Sequence, residues 1–173
     1  MGPSEIPASA GPEAGRTGEV VSDTIGAEGG VLTLTGGMTV TVEVPPLAVT
    51  APVTLVLERT FPPDHPPTPP WVAYSFVSFY LDAYRGGRLL TGFTFSRPVT
   101  VTTSIADYYA EENWRLFYWD DDVDRWEKAV RTCTPAGSAR QEGLWLHTPE
   151  CRGSAEFAML AAPFEVYLPV VER

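Results

Sequence analysis

The stretch from Gly26 to Glu58 alternates apolar and polar residues, and paired glycines and prolines interrupt it. Between Met38 and Val44 every even position is apolar and every odd position is polar. A period of two places successive side chains on opposite faces of a β-strand. The alternation returns after the Pro45-Pro46 bend, so this part of the chain is predicted to form consecutive strands.

The same signal recurs along the rest of the chain, with turn residues between short apolar runs. Val99 and Val101 alternate with Thr100 and Thr102, and the only helical candidate is one turn over 107–113. This pattern is typical of an all-β protein, and we predict a single antiparallel β-sandwich of about nine to ten strands. The further strands are expected at Val53–Leu57, at Leu116–Trp119 and Trp126–Val130 as a hairpin across Asp120–Asp124, and at Leu144–His147, Glu156–Ala161 and Glu165–Leu168.

The domain organisation follows from composition. Residues 1–18 are rich in Gly, Pro, Ala and Glu and are expected to form a flexible leader, whereas residues 19–173 form the sandwich domain. Residues 61–70 contain six prolines in ten positions, which predicts a stiff, extended loop. Residues 19–60 supply too few strands for a core of their own, so we place this loop inside one domain.

Charge and cysteine content limit the function classes and the compartment. A net charge of −10 without basic clusters argues against nucleic-acid binding, and no apolar run is long enough for a transmembrane helix. The N-terminus lacks the features of a signal peptide. Cys133 and Cys151, 18 residues apart, are expected to form a disulfide worth about 3 kcal/mol. We therefore expect an extracellular or cell-surface protein whose signal peptide is not present in this chain, the alternative being a cytoplasmic protein with two free thiols.

Six short motifs follow one another along the chain: Gly29–Leu32, Val40–Ala48, Phe79–Ala83, Phe95–Val101, Leu116–Trp119 and Trp126-Glu127. In this order they resemble ZU5-like β-sandwich domains of bacterial secreted and surface proteins. Gly29–Leu32 followed by Val40–Ala48 resembles their opening, and the resemblance extends over about residues 19–162. ZU5 domains are generally protein-interaction modules, so the resemblance implies a partner protein rather than a substrate.

Some ZU5 relatives cleave themselves at a His-Phe-Ser motif. The matching residues here are Glu156, Phe157 and Ala158, so the hydroxyl nucleophile that an acyl shift needs is missing. The resemblance therefore implies a domain that does not cleave itself.

The predicted strand Trp71 to Tyr84 carries aromatic residues on both faces. One face, with Ala73, Val77, Phe79 and Leu81, is typical of a core. The other is the candidate ligand face, which suits a sugar ring or a protein partner if it is exposed; in the alternative, the Arg-Gly-Gly-Arg turn and the proline-rich loop cover it. This candidate ligand face consists of Tyr74, Phe76, Tyr80 and Tyr84.

Metal sites are weakly indicated. Asp120, Asp122 and Asp124 are spaced like the start of a calcium loop, but Arg125 and Arg131 stand where an EF-hand needs Gly and Glu. We predict no metal and keep these aspartates as a weak calcium candidate, the alternative being an acidic turn that protects a sheet edge. A zinc site from Cys133, His147 and Cys151 lacks the close cysteine pair of structural zinc sites.

The function expected from the sequence is a non-catalytic extracellular interaction or structural (adhesive) module of a bacterial surface or secreted protein. It would bind a protein partner or itself. A carbohydrate-binding module that uses the candidate ligand face on a polysaccharide is the alternative. Neither His65 nor His147 can be tied to a Ser or Cys nucleophile from the sequence, so we predict that the protein is not an enzyme; a hydrolase or metal-dependent enzyme is the third hypothesis.

Overall fold

The computed structural model describes residues 18–67, 73–105 and 114–161. Their secondary structure is all β apart from one turn of 3₁₀ helix, Ala129–Thr132. The strands are β1 Val20–Ile25, β2 Gly30–Leu34, β3 Val40–Val44, β4 Val53–Thr60, β5 Ala73–Arg85, β6 Arg88–Leu89, β7 Thr94–Ser104, β8 Trp114–Asp120, β9 Arg125–Lys128, β10 Arg140–Glu142, β11 Trp145–Arg152 and β12 Ala155–Ala161.

The strands form two antiparallel sheets. The seven-stranded sheet has the order β1-β4-β5-β12-β8-β9, with β6 paired to β5, and the five-stranded sheet has the order β10-β11-β7-β3-β2. Alternate side chains of both sheets meet in one core, which includes Leu55, Leu57, Val99 and Val101. The predicted all-β sandwich is confirmed.

The strands differ from the sequence prediction in their number and at the end of the predicted hairpin. The structure has twelve strands among the described residues, because β6 and β10 are too short to show an alternating pattern. Ala129 and Val130, predicted as strand, begin the 3₁₀ helix, which leads the chain from β9 to Cys133. The predicted strand Glu165–Leu168, the helical turn 107–113 and most of the leader lie outside the described residues.

A tight bend connects β3 to the rest of the chain. The N–H of Leu47 donates to the carbonyl of Ala27 at 2.8 Å, which brings the bend against the turn before β2. Gly29 has a φ of +79°, and a Cβ there would lie 2.2 Å from the carbonyl oxygen of Val44. Only glycine tolerates both conditions, so the paired glycines predicted as turn residues have a definite steric role at this position.

The predicted disulfide is present. Cys133 and Cys151 are bonded, with their Cα atoms 5.1 Å apart, and Thr132 Oγ1 accepts the N–H of Cys151 at 2.8 Å. The bond ties the end of the 3₁₀ helix to β11. Because both sulfurs are used in it, the zinc site considered from the sequence is not formed.

Candidate functional site

The outer face of the seven-stranded sheet carries the candidate ligand face. Val77, Phe79 and Leu81 of β5 are fully buried in the core, so Tyr80 and Tyr84 point to the opposite face, where both are half-buried. The backbone of Tyr74 lies in β5 beside Leu160 of β12. The side chains of Tyr74 and Phe76 lie outside the described part of the structure.

A second, smaller apolar cluster occupies this outer face beside β5. Phe117, Trp126, Ala158 and Leu160 are buried in it, with Trp119 packed against them. The indole rings of Trp119 and Trp126 meet edge to face at 5.6 Å. These residues are buried on the outward side of a sheet, so part of the chain must cover them.

The described part of the proline-rich loop, residues 61–67, supplies contacts to this cluster. The His65 ring stacks on Trp119 with ring centroids 4.0 Å apart and planes within 7° of parallel. Trp126 Nε1 donates to the carbonyl oxygen of His65 at 3.0 Å. The loop is therefore anchored over the aromatic side chains rather than projecting from the domain.

Glu156 of β12 binds the same loop through its buried carboxylate. It is 3% exposed; its Oε1 accepts the N–H of Asp64 at 2.6 Å, and its Oε2 lies 2.6 Å from His65 Nδ1. Burial raises the pKa of the Glu156 carboxyl, although the hydrogen bonds from His65 and Asp64 oppose this shift. We call Asp64, His65, Trp119, Trp126 and Glu156 the loop clamp.

The loop clamp reaches the candidate ligand face at Tyr80. The Tyr80 hydroxyl donates to Asp64 Oδ2 at 2.8 Å, so the proline-rich loop partly covers this tyrosine. Cover by this loop was the alternative considered in the sequence analysis. The Arg-Gly-Gly-Arg turn lies at the tip of the β5–β6 hairpin, where Arg85 pairs with Arg88, and both arginines are exposed.

The outer face of the five-stranded sheet presents a different surface. Register places Thr33, Thr41, Thr102 and His147 side by side across β2, β3, β7 and β11. Thr33 and Thr41 hydroxyls are 3.2 Å apart, and Thr102 Oγ1 is 3.0 Å from His147 Nδ1. We call these four residues, with Val31, Thr100 and Trp145, the threonine face.

Apolar groups are exposed on the threonine face. Trp145 is 43% and Val31 is 58% exposed, and a shallow depression of about 380 Å³ lies between Val31, Glu43 and Thr100. Sequence reasoning missed this surface, although the threonines alternating with Val99 and Val101 were a signal for it. The pattern identified the outward face, but only the register of four strands shows that the threonines are neighbours.

One arrangement on the threonine face resembles a catalytic relay. His147 Nε2 lies 3.6 Å from Glu142 Oε2, opposite the nitrogen that faces Thr102. A hydrolytic triad also needs free N–H donors to stabilise an oxyanion. β7 is paired on both sides at Thr102, with β3 and with β11, so its backbone donors belong to the sheet. Within the described strands, the backbone at Thr102 therefore supplies no free donor for an oxyanion.

The acidic turn is tied together by its own contacts. Asp120 accepts hydrogen bonds from the Tyr118 hydroxyl at 3.0 Å and from the N–H of Asp122 at 3.0 Å, and Arg152 Nη1 lies 3.7 Å from it. Asp124 adopts a left-handed φ of 53° that completes the turn. Across the described ranges, no group of three or more His, Cys, Asp or Glu side chains is arranged to hold a metal ion.

Glu150 is an acid inside the sandwich that sequence reasoning did not single out. It is 0% exposed; its Oε2 accepts the N–H of Arg152 at 2.7 Å, and its Oε1 has no hydrogen-bond partner among the residues that the structure describes. Burial raises the pKa of the Glu150 carboxyl to about 8, against a smaller lowering by Arg152. A neutral carboxyl is the form that such an environment favours.

In the comparison with known proteins, no family model matches the chain and no curated protein is significantly similar to it. In the part of the chain that the structure covers, no helix has the length and hydrophobicity needed to cross a lipid bilayer.

Proposed function

We propose that this chain is a non-catalytic interaction or structural module that works outside the cell, attached to a surface or within a secreted bacterial protein. The order of its motifs, which resembles ZU5-like domains, supports an interaction module. The disulfide supports an oxidising compartment, where such bonds form and persist. The threonine face is the surface on which the proposed partner, or a second copy of the chain, binds.

The observation that carries this proposal is the exposure of Trp145 beside polar side chains on a regular sheet. Trp145 pairs in register with Ser104 of β7 and is 43% exposed. Aromatic side chains surrounded by groups that form hydrogen bonds are characteristic of the centres of protein interfaces. The depression beside Thr100 extends the same surface across β7 and β3.

Site-specific photo-crosslinking in the cells that produce the protein tests this proposal. A photoreactive phenylalanine analogue at Thr100 is expected to give discrete covalent adducts, and Trp145→Ala is expected to reduce their yield. The same analogue at exposed Asp122, on the acidic turn, is the matched control. An adduct of twice the chain mass indicates self-association, and any other discrete mass indicates a partner protein. Equal yields from both positions, or none from Thr100, contradict the proposal.

The second candidate function is carbohydrate binding at the candidate ligand face. Tyr80 and Tyr84 lie on the same face of β5 and both remain half-buried rather than enclosed, which supports partial stacking on a sugar ring. Tryptophan fluorescence during titration with soluble polysaccharides tests it. We expect Tyr80→Ala to abolish the response and Tyr80→Phe, which keeps the ring but not the hydroxyl bonded to Asp64, to retain it. An unresponsive wild-type protein ends this candidate.

A further inference from the structure

A pocket lies where the two sheets approach each other beside β8. The pairing of β9 with β8 stops at Lys128, opposite Phe117, so β9 does not cover Arg115 and Leu116. The chain then leaves through the 3₁₀ helix and returns, and the N–H of Gly137 donates to the carbonyl of Val130 at 3.0 Å. A half-enclosed pocket of about 280 Å³ remains between β8 and this returning segment.

The charges of this pocket oppose the charge of the whole protein. Of the described residues, Arg115 and Lys128 are the only charged ones in its lining, in a chain of net charge −10. Arg115 Nη1 donates to the carbonyl of Trp114 at 2.6 Å, which leaves the other donors of its guanidinium for a ligand. Within the described part of the chain, the Lys128 ammonium has no hydrogen-bond or ion-pair partner.

The neighbouring acid does not neutralise Lys128. Glu127 accepts a hydrogen bond from Arg125 Nε at 2.6 Å and lies 3.4 Å from Arg131 Nη1. Both of its oxygens are thereby engaged by arginines outside the pocket. Glu127, the residue before Lys128 in β9, therefore does not cancel the positive charge at the pocket.

The other sheet closes the inner end of the pocket. Thr148 of β11 lines the same pocket, is 1% exposed, and its Oγ1 has no hydrogen-bond partner in residues 18–67, 73–105 and 114–161. This oxygen is closed off from solvent, so Thr148 forms part of the inner wall, and the polar contacts to a ligand come from Arg115 and Lys128. Ser138 supplies a second hydroxyl-bearing residue in the lining, while Leu116 and Ala139 supply apolar walls.

We propose that this pocket is a binding site for a small organic carboxylate. Arg115 and Lys128 hold the carboxylate through charge-assisted hydrogen bonds, and the short carbon chain of the ligand packs on Leu116 and Ala139. The volume is at the lower end for ligand pockets, which selects a ligand of a few carbons rather than an oligomer. This site is separate from the threonine face and does not depend on the function proposed there.

The sequence provides a selective probe, because Lys128 is the only lysine in the chain. Reductive methylation with ¹³C-formaldehyde keeps the positive charge and labels only Lys128 and the N-terminal amine. Titration with hexanoate is expected to shift the Lys128 methyl resonance and the amide resonances of Gly137 and Ser138. We expect a dissociation constant on the order of 1 mM, with the N-terminal signal unchanged.

Two control compounds test whether binding needs both the charge and the carbon chain of hexanoate. Hexanol has the same chain without the charge, and inorganic phosphate has charge without the chain. Both are expected to leave the Lys128 and Ser138 signals in place. Equal shifts with hexanol would show that the cations are not used, and equal shifts with phosphate would show only a diffuse ionic effect; either result overturns the proposal, as does the absence of any shift with hexanoate.

Variants complete the test. Arg115→Gln and Lys128→Gln are each expected to weaken hexanoate binding about tenfold, the loss expected for one charge-assisted hydrogen bond, with Ser138 as the reporter in the lysine variant. Arg97→Gln, at an exposed position of β7, is the matched control. Lys128→Gln breaks no hydrogen bond or ion pair of the described residues, so it keeps the proposal testable if Arg115→Gln fails to fold. Weakening by Arg97→Gln to the same degree contradicts the proposed site.

Discussion

His65 Nδ1 lies 2.6 Å from Glu156 Oε2, joining two residues that are 91 positions apart in the sequence. The contact fastens the proline-rich loop to the central strand β12 of the seven-stranded sheet. The Glu156 side chain is 1% exposed and the His65 side chain 41%, so the acid forms the base of the contact and the imidazole forms its solvent side. Residues 61–67 of the loop are consequently packed on the domain, and they cover an aromatic cluster that the sheet alone would leave exposed.

Replacing Glu156 tests the loop clamp. Glu156→Ala removes the acceptor for both the Asp64 N–H and His65, and we expect the free energy of unfolding to fall by about 1–3 kcal/mol. The fluorescence of Trp119 and Trp126 is expected to shift to longer wavelength as the loop detaches. Urea denaturation and emission spectra measure both effects. Glu43→Ala, at an exposed position of β3, is the control and should change stability by less than about 0.5 kcal/mol; equal losses in the two variants contradict the clamp.

The disulfide is expected to stabilise the fold. Replacing Cys133 and Cys151 together by alanine removes a cross-link between positions 18 residues apart and should lower the free energy of unfolding by about 3 kcal/mol. Denaturant titration of the oxidised wild type and the double variant measures this. Intact mass after alkylation, with and without prior reduction, checks the bond in natively produced protein and detects any break near Phe157. Thiols that alkylate without reduction would place the protein in a reducing compartment.

Glu150 is expected to make stability decrease with pH. In the unfolded chain this carboxyl has its ordinary pKa of 4.5, whereas burial raises the folded pKa to about 8. Between these values the folded state binds more protons, so the free energy of unfolding falls as pH rises. The stabilisation is complete below pH 4.5 and is lost as pH passes through about 8, with a slope of up to about 1.4 kcal/mol per pH unit.

Glu150→Gln isolates this contribution, because the amide cannot ionise. Urea denaturation at several pH values between 5 and 8 should show a shallower decline in the variant and a stability difference that grows in its favour towards the upper end. Glu142→Gln, at an exposed position of β10, is a suitable control. Parallel pH profiles for wild type and Glu150→Gln would mean that Glu150 is ionised in the fold.

Calcium is expected to leave the melting temperature unchanged. The Asp120 carboxylate already accepts hydrogen bonds from Tyr118 and from the Asp122 N–H, which a cation would have to replace. Thermal unfolding with millimolar calcium and with a chelator measures the effect. A rise in melting temperature with calcium that Asp122→Asn removes would establish the weak calcium candidate as a real site.

The sequence predicts well which side chains of a strand share a face of the sheet, because this alternation is a local property of the backbone. Val53, Leu55 and Leu57 were predicted to share one face, and all three are buried. The hairpin across Asp120–Asp124 was also predicted, since an acidic turn separates two aromatic runs. Its second strand ends at Lys128 instead of Val130, because the chain turns there towards the disulfide.

The candidate sites depended on information that the sequence does not contain. Thr102 and His147 become neighbours only through the register of β7 with β11, and register is set by the packing of whole sheets. Glu150 follows the same outward-or-inward alternation as its neighbours on β11, but its complete burial depends on the opposite sheet.

By itself, therefore, the sequence determined the all-β class, the faces of the longer strands, the position of the proline-rich loop and the two cysteines available for a disulfide. These follow from short-range geometry and from residue chemistry. The tertiary structure alone decided that Glu156 clamps His65 over Trp119, that the threonines form one surface, and that Arg115, Lys128 and Thr148 line one pocket. Such contacts join residues far apart in the chain, and only the packing of one sheet against the other fixes which of them meet.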